Sequence, residues 1–183
     1  VSTYSAKPIT SAEFRDFFMD YFKGSTMEAD VADVDWNAWF LAPGMLPIGK
    51  PSFDLSLVDP VVALAKSWVN TGKKLSGEEN DYLKWDSLRQ QLFIQELLDA
   101  ADSQPLSLAT LAALDAEYTL TGKKNSEIRF KWCKLCLACG REEILDDAIK
   151  FVTEQGRMKF TRPLYRSLCS SPIPGAKALA KST

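Results

Sequence analysis

The chain has 183 residues, 46% of them hydrophobic and 25% charged, with a formal net charge of −2 and no histidine. That composition suits one sizeable hydrophobic core, and no basic stripe marks a nucleic-acid binder. No run is long and apolar enough for a membrane span or a signal peptide. The missing histidine removes histidine triads, H-E-x-x-H zinc sites and an imidazole general base from this chain.

In chain order, residues 1–9 read as a lead-in, and 10–183 as one helical domain. Thr10-Ser11-Ala12-Glu13 is a capping box, followed by an aromatic helix face of Phe14, Phe17, Phe18, Tyr21 and Phe22. Asp35 caps a short helix with Trp36, Trp39 and Phe40 on one side, and this spacing predicts core packing rather than a ligand platform. Met45–Phe53, with Pro47, Gly49 and Pro51, is an irregular excursion. Asp59-Pro60 opens a helix that buries Val61, Leu64, Ala65 and Trp68. After the exposed tract Thr71–Glu79 comes a helix from Asp86 or Ser87 to Ala101, with Leu88, Leu92, Phe93, Leu97 and Leu98 inward. Ser107 caps the next, whose stripe is Leu108, Leu111, Ala112, Leu114 and Tyr118. Asn125-Ser126-Glu127 starts a helix through Ala138, ended by Gly140. A helix over Glu142–Gln155 follows, then one carrying Leu164, Tyr165 and Leu168.

No segment alternates for long and no hairpin dipeptide separates strand-like runs. The reading is an all-α fold of about seven to nine helices, packed as a bundle or as stacked pairs in a solenoid. No repeat of fixed period decides between them. The chain starts without Met and stops in the run Ala176–Ala180, so it reads as a piece of a longer protein.

Cys133, Cys136 and Cys139 form C-x2-C-x2-C, on paper an iron–sulfur spacing. On a helix they fan across roughly 120° of surface, too widely for thiolates to converge, so they are read as small buried hydrophobes with Cys139 partly exposed. No metal is expected on this chain. Four cysteines without a secretory signal favour reduced thiols and a cytoplasmic setting.

The stretch Thr153–Pro163 is the one candidate site. Gly156 is placed to end a helix in the left-handed conformation, Thr161 to cap the next, and Pro163 to lie in its first turn. Between them Arg157-Met158-Lys159-Phe160 alternates charged and apolar. If extended, it turns Met158 and Phe160 inward and projects Arg157 and Lys159 together, about 6–7 Å apart. From composition alone these are either two solvated charges or a ledge able to hold a carboxylate. Glu127 with Arg129 and Lys131 reads as a solvated helix face.

Three motifs, in order, carry a resemblance. Val34-Asp35-Trp36-Asn37-Ala38-Trp39 with Pro43-Gly44 and Pro47-Ile48, then Asn125–Trp132, then Thr153–Leu164 resemble the leukotriene A4 hydrolase/aminopeptidase family over about residues 7–170. The resemblance implies the C-terminal domain of a larger enzyme, expected to be truncated at its C-terminus: an armadillo- or HEAT-like right-handed superhelix of paired antiparallel helices. It also implies a parent enzyme that is a Zn2+ aminopeptidase with possible epoxide hydrolase activity, with catalytic and N-terminal domains as partners and no catalytic centre on this segment. Family members carry further helical structure beyond the matched region, so the end at Thr183 is expected to be a truncation. In that family the arginine and lysine of the GRMKF segment bind the carboxylate of a peptide or lipid-epoxide substrate; here these are Arg157 and Lys159. The related aminopeptidase B group has lysine at the first position, so Arg157 points to the leukotriene A4 hydrolase type. The rival reading is a stand-alone α-solenoid interaction module, which needs no such ledge.

Overall fold

Five of the described α-helices start where a side chain accepts from otherwise unpaired first-turn amides. Thr10 caps α1 (Ser11–Phe22) in a full capping box with Glu13. Asp35 caps α3 (Trp36–Phe40), which follows the short α2 (Glu28–Ala32). Pro60 sits in the first turn of α4 (Asp59–Thr71), and Gly72 ends that helix at φ 68°, a left-handed position that suits glycine. Asp86, Ser107 and Asn125 cap α5 (Ser87–Ser103), α6 (Leu108–Tyr118) and α7 (Ser126–Ala138). Then come α8 (Leu145–Glu154), α9 (Met158–Ser170) and α10 (Ala176–Ser182).

The computed structural model describes residues 2–45 and 54–183. The excursion expected over Met45–Phe53, beyond Met45 itself, and the Pro47-Ile48 pair lie outside the described residues. Among those described, the fold is all-helical with no strand, and no helix is long and apolar enough to cross a membrane.

Two compact units form, Val1–Phe53 and Asp54–Thr183. In the first, Tyr4 stands edge-on to Phe17 with ring centroids 5.4 Å apart. Phe14, Phe18, Trp36 and Phe40 pack ring against ring. The expected core placement of Trp36, Trp39 and Phe40 holds only in part. Trp39 and Phe40 remain 41% and 42% exposed, because α3 is a five-residue helix and α1 buries no residue completely.

In the second unit α4 lies against α5, and α5, α7 and α9 stack in succession, with α8 across α7 and α9 and α10 on α9. Stacking of alternate helices is the paired-helix arrangement of armadillo-like folds. The core runs through it without interruption, from Val61 to Ala180. At one end Trp68 donates to the Tyr118 hydroxyl at 3.0 Å, within an aromatic group that includes Tyr82, Trp85 and Phe93.

Three expectations need correction here. Leu88 and Leu108, which helical spacing places inward, are 77% and 56% exposed; both sit in the first turn of a helix, above the surface that packs. Ala112 is likewise exposed. The helix expected over Glu142–Gln155 is instead a 3-10 turn (Glu142–Ile144) leading into α8. The tighter turn follows a fixed residue, Arg141, whose guanidinium donates to Asp115 at 2.9 Å.

That Asp115 organises a half-buried network. It accepts from the backbone amide and hydroxyl of Thr121 at 2.9 and 2.7 Å, and Thr121 in turn accepts from the Trp132 indole at 3.0 Å. Both partners of the ion pair are only 17% exposed. Burial opposes the charge on Asp115, but the hydrogen bonds from Thr121 and Arg141 outweigh it and hold the carboxyl below the usual aspartate range. A depressed folded-state value means that the stabilisation is complete above the unfolded value, near ~4, and is lost as pH falls through the folded one. Asp115→Asn should therefore cost about 1–3 kcal/mol at pH 7, and the gap to wild type should narrow below about pH 4. Urea midpoints at pH 7 and pH 3 check this; a gap that widens in acid would contradict it.

Candidate functional site

The site forms where α8 turns into α9 against the start of α7. The α8 helix ends at Gln155 in extended backbone (φ −104°, ψ 117°), and Gln155 donates to Ser126 on α7 at 3.4 Å. Arg157 is the extended N-cap of α9 (φ −83°, ψ 115°), and helix begins at Met158.

The corner is thus shorter than the sequence suggested, and several expectations about it are corrected. Gly156 does not take a positive φ, since Gln155 ends the helix without needing a left-handed residue. Thr161 is inside α9 rather than its cap, because the amides of Phe160 and Thr161 already bond to the Arg157 carbonyl at 2.9 and 3.2 Å. Pro163 is accordingly interior, five residues past the first helical one, and cannot donate to the Lys159 carbonyl. Period-two alternation fails too: Met158 is 60% exposed, while Phe160 is buried at 3%.

Even so, both cations lie against one ring rather than along a strand. The Arg157 guanidinium and the Lys159 ammonium lie 5.6 and 5.4 Å from the centroid of Phe160, within cation–π range. Phe160 is wedged between Phe130 and Phe151 at 5.4 and 5.7 Å. Arg129 covers Phe151 and Lys134 covers Phe130, at 5.0 and 5.6 Å. Around this aromatic trio the nearby carboxylates are Glu154, paired with Arg129, and Glu127, paired with Lys159. Among the described residues Arg157 has no ion-pair partner. The neighbourhood is a cationic surface on an apolar floor.

Lys131 completes it. It donates to Gln95 on α5 at 2.6 Å. Burial, with the charges of Lys134 and Lys159 adding to it, outweighs the pull of Glu127 and Asp99 and sets this lysine below its ordinary range.

The residues present do not fit a zinc or iron site. Among the described residues no three His, Cys, Asp or Glu side chains converge. Cys133 and Cys136 are buried, Cys139 is half-buried and Cys169 exposed. Burial pushes the Cys133 thiol up to about 12 and Cys136 higher still, so both are protonated small hydrophobes rather than thiolate ligands.

Residues 85–183 match the family model described as leukotriene A4 hydrolase, C-terminal. The chain belongs to the leukotriene A4 hydrolase family. It is 36% identical to the leukotriene A-4 hydrolase of Xenopus laevis over 92% of this chain and 27% of that protein. It is 34% identical to leucine aminopeptidase 2 of Aspergillus clavatus over 90% of this chain and 26% of that protein. A solved structure of native yeast LTA4 hydrolase superposes with a TM-score of 0.78 at 26% identity, covering 96% of this chain and 30% of that one. The chain thus spans about a quarter of the length of these curated relatives, and it corresponds to the family's helical C-terminal domain.

Sequence reasoning missed Glu127 as a member of the site. Its one local signal is the four-residue spacing to Lys131; the pairing with Lys159 spans 32 positions and has no trace in periodicity.

Proposed function

We propose that the chain is the substrate-positioning domain of a cytoplasmic zinc aminopeptidase with epoxide hydrolase capacity, in which Arg157 and Lys159 bind the carboxylate of a peptide or lipid-epoxide substrate. The observation that carries this reading is the convergence of the two cations on the Phe160 ring. The guanidinium can grip a carboxylate through two parallel hydrogen bonds, and the ammonium adds a compact charge beside it.

Exposure decides what this ledge can do alone. The Lys159 side chain is 50% exposed, and ion pairs in water contribute about 0–1 kcal/mol. Strong binding therefore requires another surface over the ledge to exclude water. The catalytic domain of the larger enzyme fills that role, and it also carries zinc, which when bound activates water or polarises the reacting group. This chain's share is to fix the carboxyl end of the substrate, so that the scissile bond is held at a set distance from the reacting groups. That is rate enhancement by orientation.

The test compares a tripeptide with its C-terminal amide in the intact enzyme. Wild type should prefer the free acid, and the double variant Arg157→Ala/Lys159→Ala should bring the ratio of kcat/KM values close to one. A preference that survives the double variant would refute the carboxylate role.

A further inference from the structure

Lysine alone is a poor positioning device. Its four-carbon stem has many rotamers, and Lys159 is half-exposed at the start of a helix. What restrains it is Glu127, whose carboxylate accepts from the Lys159 ammonium across 32 residues of sequence.

Glu127 is itself well fixed. Its backbone amide donates to the Asn125 side chain at 3.0 Å, and Asn125 donates to Ser87 at the start of α5 at 2.9 Å. The first turn of α7 favours a negative charge there. The Glu127 side chain is only 26% exposed, and on the same helix face Lys131 feels its charge, along with those of Lys159, Lys134 and Asp99. The helix end and the nearby positive charge of Lys131 thus both favour a carboxylate at this position. An ammonium has three donors; one engaged by Glu127 leaves two for an incoming carboxylate.

We propose that Glu127 is a positioning residue, which holds Lys159 on the Phe160 ring beside Arg157 in the orientation that receives the substrate carboxylate. The inference rests on the carboxylate-binding reading of Arg157 and Lys159.

The experiment uses the intact enzyme with a tripeptide acid and its amide. Glu127→Gln should raise KM for the acid by about fivefold with kcat little changed, as expected for lost ground-state positioning. KM for the amide should stay put, and so should the thermal midpoint. Glu127→Asp, with the charge kept but drawn back, should fall between the two. In a Lys159→Ala background Glu127→Gln should add nothing. An unchanged or lowered KM for the acid, or a further rise in that background, would overturn the proposal; a lowered one would make Glu127 a competitor for Lys159. If Arg157→Ala and Lys159→Ala shift the acid-to-amide ratio while Glu127→Gln does not, positioning alone fails. If neither of them shifts it, the underlying reading fails and takes this one with it.

Discussion

Replacing Arg157 by alanine in the intact enzyme should lower kcat/KM for peptides with a free terminal carboxylate by about 2 kcal/mol, roughly 30-fold. The figure is that of a charged hydrogen-bonding group removed from a covered site. The loss should be confined to carboxylate substrates, and it should reach kcat as well as KM, because a substrate held at one end only reacts from fewer productive poses. Arg157→Lys should recover part of it, since charge returns without the paired planar donors. Stability should not change appreciably: Arg157 is exposed and makes no ion pair among the described residues. Steady-state kinetics on a matched acid and amide pair would show this, and equal losses on both would remove the carboxylate from the explanation.

The largest effect on stability is expected at Trp132. It is completely buried, its indole donates to Thr121 at 3.0 Å, and the Arg141 guanidinium lies 5.6 Å from its ring. Trp132→Ala opens a cavity in the middle of α7, strips Thr121 of a donor and leaves Arg141 over empty space. The cost should be about 3–5 kcal/mol, a large part of a typical folding free energy of about 5–15 kcal/mol. Leu88→Ala provides the contrast. At 77% exposure it should change stability by no more than about 0.5 kcal/mol. Denaturant midpoints for the two variants would check both, and a severe loss at Leu88 would contradict the prediction.

These two residues also show how far sequence can be read. Trp132 and Leu88 occupy equivalent places in an apolar helical stripe, and period alone put both inside. Only the packing of α5 and α7 separates them: Trp132 faces neighbouring elements in mid-helix, whereas Leu88 lies on an end turn with nothing across from it. Five N-caps were legible because they are local, although Thr161 was not one of them. Thr10, Asp35, Asp86, Ser107 and Asn125 each accept hydrogen bonds within three residues, so the chemistry that starts a helix is written beside it.

At the site, sequence alone determined the two cations, the helix before them and, through three ordered motifs, the family. It also determined that this chain itself carries no histidine. What it could not fix was the arrangement. The alternation of Arg157, Met158, Lys159 and Phe160 fits an extended ledge as well as a helical start, since four residues are too few to distinguish a period of 2 from one of 3.6. Tertiary structure decided for the helix by burying Phe160 between Phe130 and Phe151, and that burial gathers both cations around one ring. It also brought Glu127 to Lys159 from 32 residues away. Such contacts depend on how α7, α8 and α9 stack, which is a property of packed surfaces and not of any local stretch of chain.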